Sequence, residues 1–115
     1  MVKNKAVSKL CRGDIIKVSF DPTIGHEQSG YRPALVISDT LFHQATGSVL
    51  CIPITSKKKG LLFEVEILGK EIKGVALLHG TRMMDLQHRK FIFVEKASPA
   101  VCEKIQIILN KIITE

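Results

Sequence analysis

From Gly13 to Val94 the chain is a succession of short apolar segments, each closed by glycine, proline or small polar residues, and only its C-terminus departs from that rhythm. Ile15-Ile16-Lys17-Val18-Ser19-Phe20 alternates β-branched and aromatic residues over its second half and reads as a strand. Asp21-Pro22 ends it, because proline lacks a ladder donor and fixes φ. Ala34 to Ser38 is a continuous apolar run suited to a central strand. Ser48 to Ile54 is a third strand, in which Pro53 predicts an edge or a bulge. Phe63 to Ile67 alternates with Glu64 and Glu66 facing water. Val75 to Leu78, Thr81 to Leu86 and Lys90 to Val94 complete the strand set, while Asp39 to Gly47 reads as irregular or a short helical turn. The period changes at Ser98-Pro99, a capped helix start, after which Cys102, Ile105, Ile108, Leu109, Ile112 and Ile113 share one helical face. Many short strands and one closing helix predict a mainly β fold with helical additions: a small, largely antiparallel barrel, which leaves few exposed edges.

The 115 residues suffice for one domain with one core, here 1–115, with residues 1–12 expected to be a loosely ordered extension. No apolar run approaches the length of a membrane span, and no apolar stretch follows the basic N-terminus as a signal peptide would require. A soluble, cytoplasmic protein is the expectation. The 3 cysteines have neither metal nor redox spacing, and Cys51 and Cys102 read as buried thiols. No set of His, Cys, Asp and Glu has metal-ligand spacing, so neither a metal nor another cofactor is expected. The net charge of +6 permits a polyanionic partner without requiring one, and basic residues concentrate at Lys57-Lys58-Lys59 and from Arg82 to Lys90.

The chemistry-bearing residues gather in the polar stretch from Phe20 to Pro33. Such a stretch between two strands is longer than a connection needs. Arg32 can clamp a phosphate through paired hydrogen bonds, or pair with Glu27 or Asp21. His26 can move a proton, stack on a base, or simply face solvent. Glu27 can act as a base or hold Arg32; Gln28 can read a base edge or merely keep the loop polar. Thr55-Ser56, directly after a strand, can bind phosphate or form a turn. His79, beside Gly80, is either an exposed strand cap or a site residue. Arg82 and Asp85 are expected to pair or to solvate the sheet edge, and His43 and His88 show no recognisable partner.

The run Gly25-His26-Glu27-Gln28-Ser29-Gly30-Tyr31-Arg32-Pro33 resembles the first conserved loop of the MazF/PemK family of toxin endoribonucleases. The resemblance continues at Pro53-Ile54-Thr55-Ser56, at Gly74-Val75 and at Arg82-Met83-Met84-Asp85, and extends through the C-terminal helix. It implies an SH3-like β-barrel of the CcdB/MazF/PemK type, a homodimer, metal-independent cleavage of single-stranded RNA, and neutralisation by a cognate antitoxin. Arg32 and Thr55 match catalytic positions. Glu27 and His26 match positions that support the site or contact RNA, and Ser56 lies beside the cleaved phosphate. Gln28, Lys57 and Arg82 are the further RNA-binding candidates. The sequence departs from the family where many members carry Asp-Gln: it has His79-Gly80, with Leu77 at the position of the PemK branch's arginine. His79 can take over as base, the Arg32/Thr55 centre can suffice, or the protein can bind RNA without cutting it. A gyrase-poisoning toxin of the CcdB type shares the expected fold but has no need of a phosphate clamp.

Overall fold

A computed structural model describes residues 5–19, 31–60 and 62–114. In chain order the elements are α1 (Lys5–Ser8), β1 (Asp14–Ser19), β2 (Tyr31–Val36), α2 (Thr40–Thr46), β3 (Ser48–Thr55), β4 (Glu64–Leu68) and β5 (Lys73–Leu77). A 3-10 turn (Leu78–Gly80), β6 (Arg82–Asp85), β7 (Phe91–Lys96) and α3 (Pro99–Thr114) follow. The strands form one strongly bent antiparallel sheet in the order β4-β5-β3-β2-β1-β7, with β6 also paired to β3. The segment pattern predicts a mainly β, largely antiparallel barrel with a C-terminal helix; the structure is mainly β with that helix, its sheet curved into a half-barrel.

Strand alternation divides the apolar residues between the two faces of the sheet. Ile16, Val18, Ala34, Val36, Val49, Cys51 and Met84 pack on one face with Val7 and Leu10. Ile15, Leu35, Ile52, Ile54, Val65, Ile67 and Ala76 pack on the other with Ile105 of α3. Of the residues 1–12 expected to form a loosely ordered extension, the described Val7 and Leu10 are packed against the sheet. Val7 and Leu10 are 0% and 4% exposed, since the β1–β2–β3 face needs a cover that the strands cannot supply.

β3 is the central strand, not an edge, despite Pro53. One side of it pairs with β2; the other pairs with β6 from Ser48 to Cys51 and with β5 at Ile54 and Thr55. Pro53 falls in the handover from β6 to β5, where that side of the ladder asks for no donor.

The end strands of the sheet are joined by a side chain. The Glu95 carboxylate on β7 accepts the backbone N–H groups of Lys70, Glu71 and Ile72, in the turn between β4 and β5, at 2.9, 2.9 and 2.8 Å. These three donors hold its carboxyl below the usual glutamate range.

Glu64 is likewise not simply turned to water, because its carboxylate accepts the amides of Lys59 and Gly60. Helix α2 has Asp39 as N-cap and Gly47 as C-cap, the latter at φ 74°, a left-handed conformation that glycine adopts without strain. The Ser98 hydroxyl accepts from Val101 N at 3.3 Å and caps α3 as its sequence predicts. On α3, Ile105 is buried, whereas Ile112 and Ile113 are 48% and 76% exposed, so the chain covers only part of the predicted apolar face. No described helix is long and apolar enough to cross a membrane.

Candidate active site

Arg32 and Thr55 are brought together by strand register. Ala34 pairs with Pro53, Leu35 with Ile52 and Val36 with Cys51, so continuing the same register two residues further places Arg32 opposite Thr55. Both lie on the face that holds Val36 and Cys51. Where Val36 and Cys51 sit, that face is buried with Val7 and Leu10; where Arg32 and Thr55 sit, it opens to solvent.

A groove of about 700 Å³ runs over this end of the sheet, its lining including Arg32, Thr55, Ser56 and Arg82. Among the described residues its lining also holds Lys17 of β1 and Lys73 of β5, with Glu71 as the one carboxylate. A concave surface whose described lining holds four cations and one acid favours a polyanion.

Thr55 is held in a defined position. Its Oγ1 accepts the N–H of Lys57 at 3.2 Å, which leaves the hydroxyl proton available for donation into the groove. Behind it stands Gly74, where a Cβ would come within 2.2 Å of the Thr55 carbonyl oxygen.

Of the sequence-predicted residues, Arg32, Thr55, Ser56 and Arg82 thus line one groove. Lys57 is exposed beside it and contributes its amide to Thr55. His79 is exposed on the 3-10 turn; its neighbour Gly80 and Leu77 line the groove, but His79 does not. His26, Glu27, Gln28 and Asp21 lie outside the described residues. Arg89 donates to the Ser19 carbonyl at 2.6 Å and so anchors the end of β1. Lys17 and Lys73 were not singled out from sequence. The signal available was a lysine interrupting the apolar alternation of β1 and another immediately before Gly74.

Three further expectations change. Asp85 takes His88 Nδ1 at 2.9 Å and the Gln87 amide, and these hydrogen bonds lower its pKa. His43, without a partner recognisable in sequence, is fully buried between Ser38 and Leu10. Cys51 is buried as expected, and burial pushes its thiol up to about 11 despite the nearby charges of Arg82 and Arg89, whereas Cys102 is only half-buried. Among the described residues no group of three or more His, Cys, Asp or Glu side chains is placed to hold a metal ion.

Comparison with known proteins gives a consistent answer. The family described as PemK-like, MazF-like toxins of type II toxin–antitoxin systems matches residues 11–113. The endoribonuclease toxin MazF of Escherichia coli K12 is 41% identical over 100 residues, covering 87% of each chain. A crystal structure of MazF from Deinococcus radiodurans superimposes with a TM-score of 0.80 at 31% identity, covering 92% of this chain and 97% of that one. A MazE–MazF crystal structure from the same organism gives a TM-score of 0.79 at 26% identity, over 91% and 95% of the two chains.

Proposed function

The chain belongs to the family of PemK-like, MazF-like toxins of type II toxin–antitoxin systems, and from that premise we propose that it is an endoribonuclease whose scissile phosphate lies between Arg32 and Thr55. The observation that carries the reading is that these two side chains, from neighbouring strands, line one groove whose described residues include four cations.

The RNA supplies its own nucleophile. A base removes the proton of the 2′-hydroxyl, O2′ attacks the adjacent phosphorus, the P–O5′ bond breaks, and the leaving oxygen takes up a proton. The products are a 2′,3′-cyclic phosphate and a 5′-hydroxyl. The protein must stabilise charge on the phosphoryl oxygens as the pentavalent state forms. The Arg32 guanidinium does so with paired N–H donors, and the Thr55 hydroxyl with its free proton. Ser56 extends the contact along the same turn, while Arg82, Lys17 and Lys73 hold neighbouring phosphates. His26, Gln28 and Lys57 are assigned to the bases and flanking backbone. Proton transfer is assigned to His79 or Glu27. DNA can enter the groove but has no 2′-hydroxyl to react.

The substrate is single-stranded, because base edges and the 2′-oxygen must both be accessible. A cognate antitoxin that covers the groove would silence the protein; that a relative, MazF of Deinococcus radiodurans, has been solved with MazE supports such a partner. Two copies assemble as a homodimer, a reading supported by Ile112 and Ile113, which their own chain leaves exposed. The protein works in the cytoplasm, where its RNA substrate is.

The test is incubation of the purified protein with a long single-stranded RNA in the presence of EDTA. Discrete cuts ending in 2′,3′-cyclic phosphate support the assignment. Binding without cutting would reduce the protein to an RNA-binding relative. For the base, a His79→Ala variant that loses the limb of the pH–rate profile near neutrality identifies His79, and an unchanged profile excludes it.

A further inference from the structure

Thr55 carries its hydroxyl on Cβ, so the donor has no long side chain with which to make up for a displaced backbone. Its carbonyl is approached by β5 at Gly74: a Cβ there would fall 2.2 Å from Thr55 O, 2.9 Å from Thr55 C and 3.3 Å from Ser56 Cα. Contacts below 3 Å with backbone atoms cannot be relieved by a rotamer change, so any side chain at this position must push β3 and β5 apart. Gly74 has no positive φ, so its backbone conformation does not call for glycine. The missing side chain is the requirement. The gap occurs one residue beyond the last β3–β5 pairs, Ile54 with Ala76 and Thr55 with Val75, where β3 turns out of the sheet toward Lys57. On the far side of that turn the Lys57 N–H donates to Thr55 Oγ1 at 3.2 Å.

We propose that Gly74 and the Lys57 backbone amide are a positioning pair for the phosphate-binding hydroxyl, Gly74 setting the depth of the Thr55 backbone and the amide setting the direction of its Oγ1. The inference rests on the assignment of Thr55 to the scissile phosphate. It adds two groups that touch no substrate and act only through Thr55. Filling the gap moves the Thr55 backbone by an ångström or more, and a misplacement of that size costs ~100-fold in rate. The loss falls on kcat, because the groove's cations still bind RNA.

The experiment compares Gly74→Ala with the parental protein in RNA cleavage, and follows the Lys57 amide by hydrogen exchange. The expected result is a kcat lower by ~100-fold with KM changed less than about threefold, and Lys57 exchange faster by at least tenfold. In a Thr55→Val background, Gly74→Ala should lower kcat no further. A kcat within threefold of parental, an unchanged Lys57 exchange rate, or a full additional loss in the Thr55→Val background would each overturn the proposal. Should Gly74→Ala fail to fold, Lys57→Pro and Lys57→Ala decide, since both remove the lysine side chain and only proline removes the amide. Lys57→Pro is expected at least ~30-fold below Lys57→Ala in kcat, and equality overturns the positioning role. A parental protein that cuts no RNA refutes the nuclease assignment instead, and the Lys57 exchange measurement still decides whether Gly74 orders the Thr55 turn.

Discussion

Arg32 on β2 and Thr55 on β3 each lie two residues beyond the Ala34–Pro53 pair and line one groove, at the point where their sheet face emerges from under its N-terminal cover. Their relationship is a matter of register, so it persists when either side chain is cut back. Arg32→Ala is expected to lower the cleavage rate by ~100- to 1000-fold, as removal of a single charge-stabilising donor does, without loss of folding. Arg32→Lys should recover little, because a point charge cannot reproduce two parallel donors. Circular dichroism and single-turnover cleavage check the two halves of this prediction. Parental activity in Arg32→Ala would remove Arg32 from the mechanism.

Lys17 and Lys73 line the same groove as Arg32 and Thr55 and are expected to bind phosphates beside the cleaved one. Removing one lysine that neutralises a phosphate of single-stranded RNA should flatten the plot of log K against log salt by ~0.7. The measurement is affinity for an RNA carrying one 2′-deoxynucleotide at the cleavage position, across a salt series. A Lys17→Ala or Lys73→Ala slope equal to that of the parental protein would place that lysine outside the RNA path.

Glu95 closes the bent sheet through three amides of the β4–β5 turn, and folding lowers its pKa below the ordinary 4.5. The sign follows from linkage: the charged carboxylate contributes in full above 4.5, and that contribution is lost as pH falls through the lower folded value. Glu95→Gln should therefore be less stable than the parental protein at neutral pH and converge with it in acid. Denaturation midpoints measured from pH 7 down to pH 3 check this, and a constant gap across the range would count against it.

His43 donates from Nδ1 to the Leu10 carbonyl at 2.8 Å, because a carbonyl can only accept, and its Nε2 then accepts from the Ser38 hydroxyl at 2.6 Å. Ser38 Oγ in turn accepts the Leu50 amide at 2.8 Å. The network ties the N-terminal segment to α2 and β3. His43→Ala leaves a cavity and strands two buried polar groups, for an expected loss of roughly 2–4 kcal/mol. Chemical denaturation measures it, and a loss below about 0.5 kcal/mol, the size of a surface substitution, would mean that the network is structurally idle.

Local signals proved sufficient where the physics is local. Alternation gives most of the strands, Ser98-Pro99 marks the start of α3, and Arg32, Thr55 and Ser56, singled out by residue type and motif, line one groove. Long-range pairing corrected the rest. Pro53 suggests an edge because a proline lacks its donor, yet it sits in the central strand at the handover from β6 to β5. Leu109 shares the apolar face of α3 with Ile105, but it is only half-buried, and Ile105 is the residue whose replacement by Asp should unfold the chain. His43 gave no warning of burial, because its partners Leu10 and Ser38 come from different segments.

By itself the sequence determined the kind of elements present, the single closing helix and the chemical groups available, since side-chain period and turn chemistry are written within a few residues. Only the tertiary structure decided that Arg32 and Thr55 line one groove, that Lys17 and Lys73 join them, and that Gly74 must be bare. Those facts depend on which strand edges meet and in what register. Register is settled by burying both faces of the sheet at once, a condition that no single segment can express.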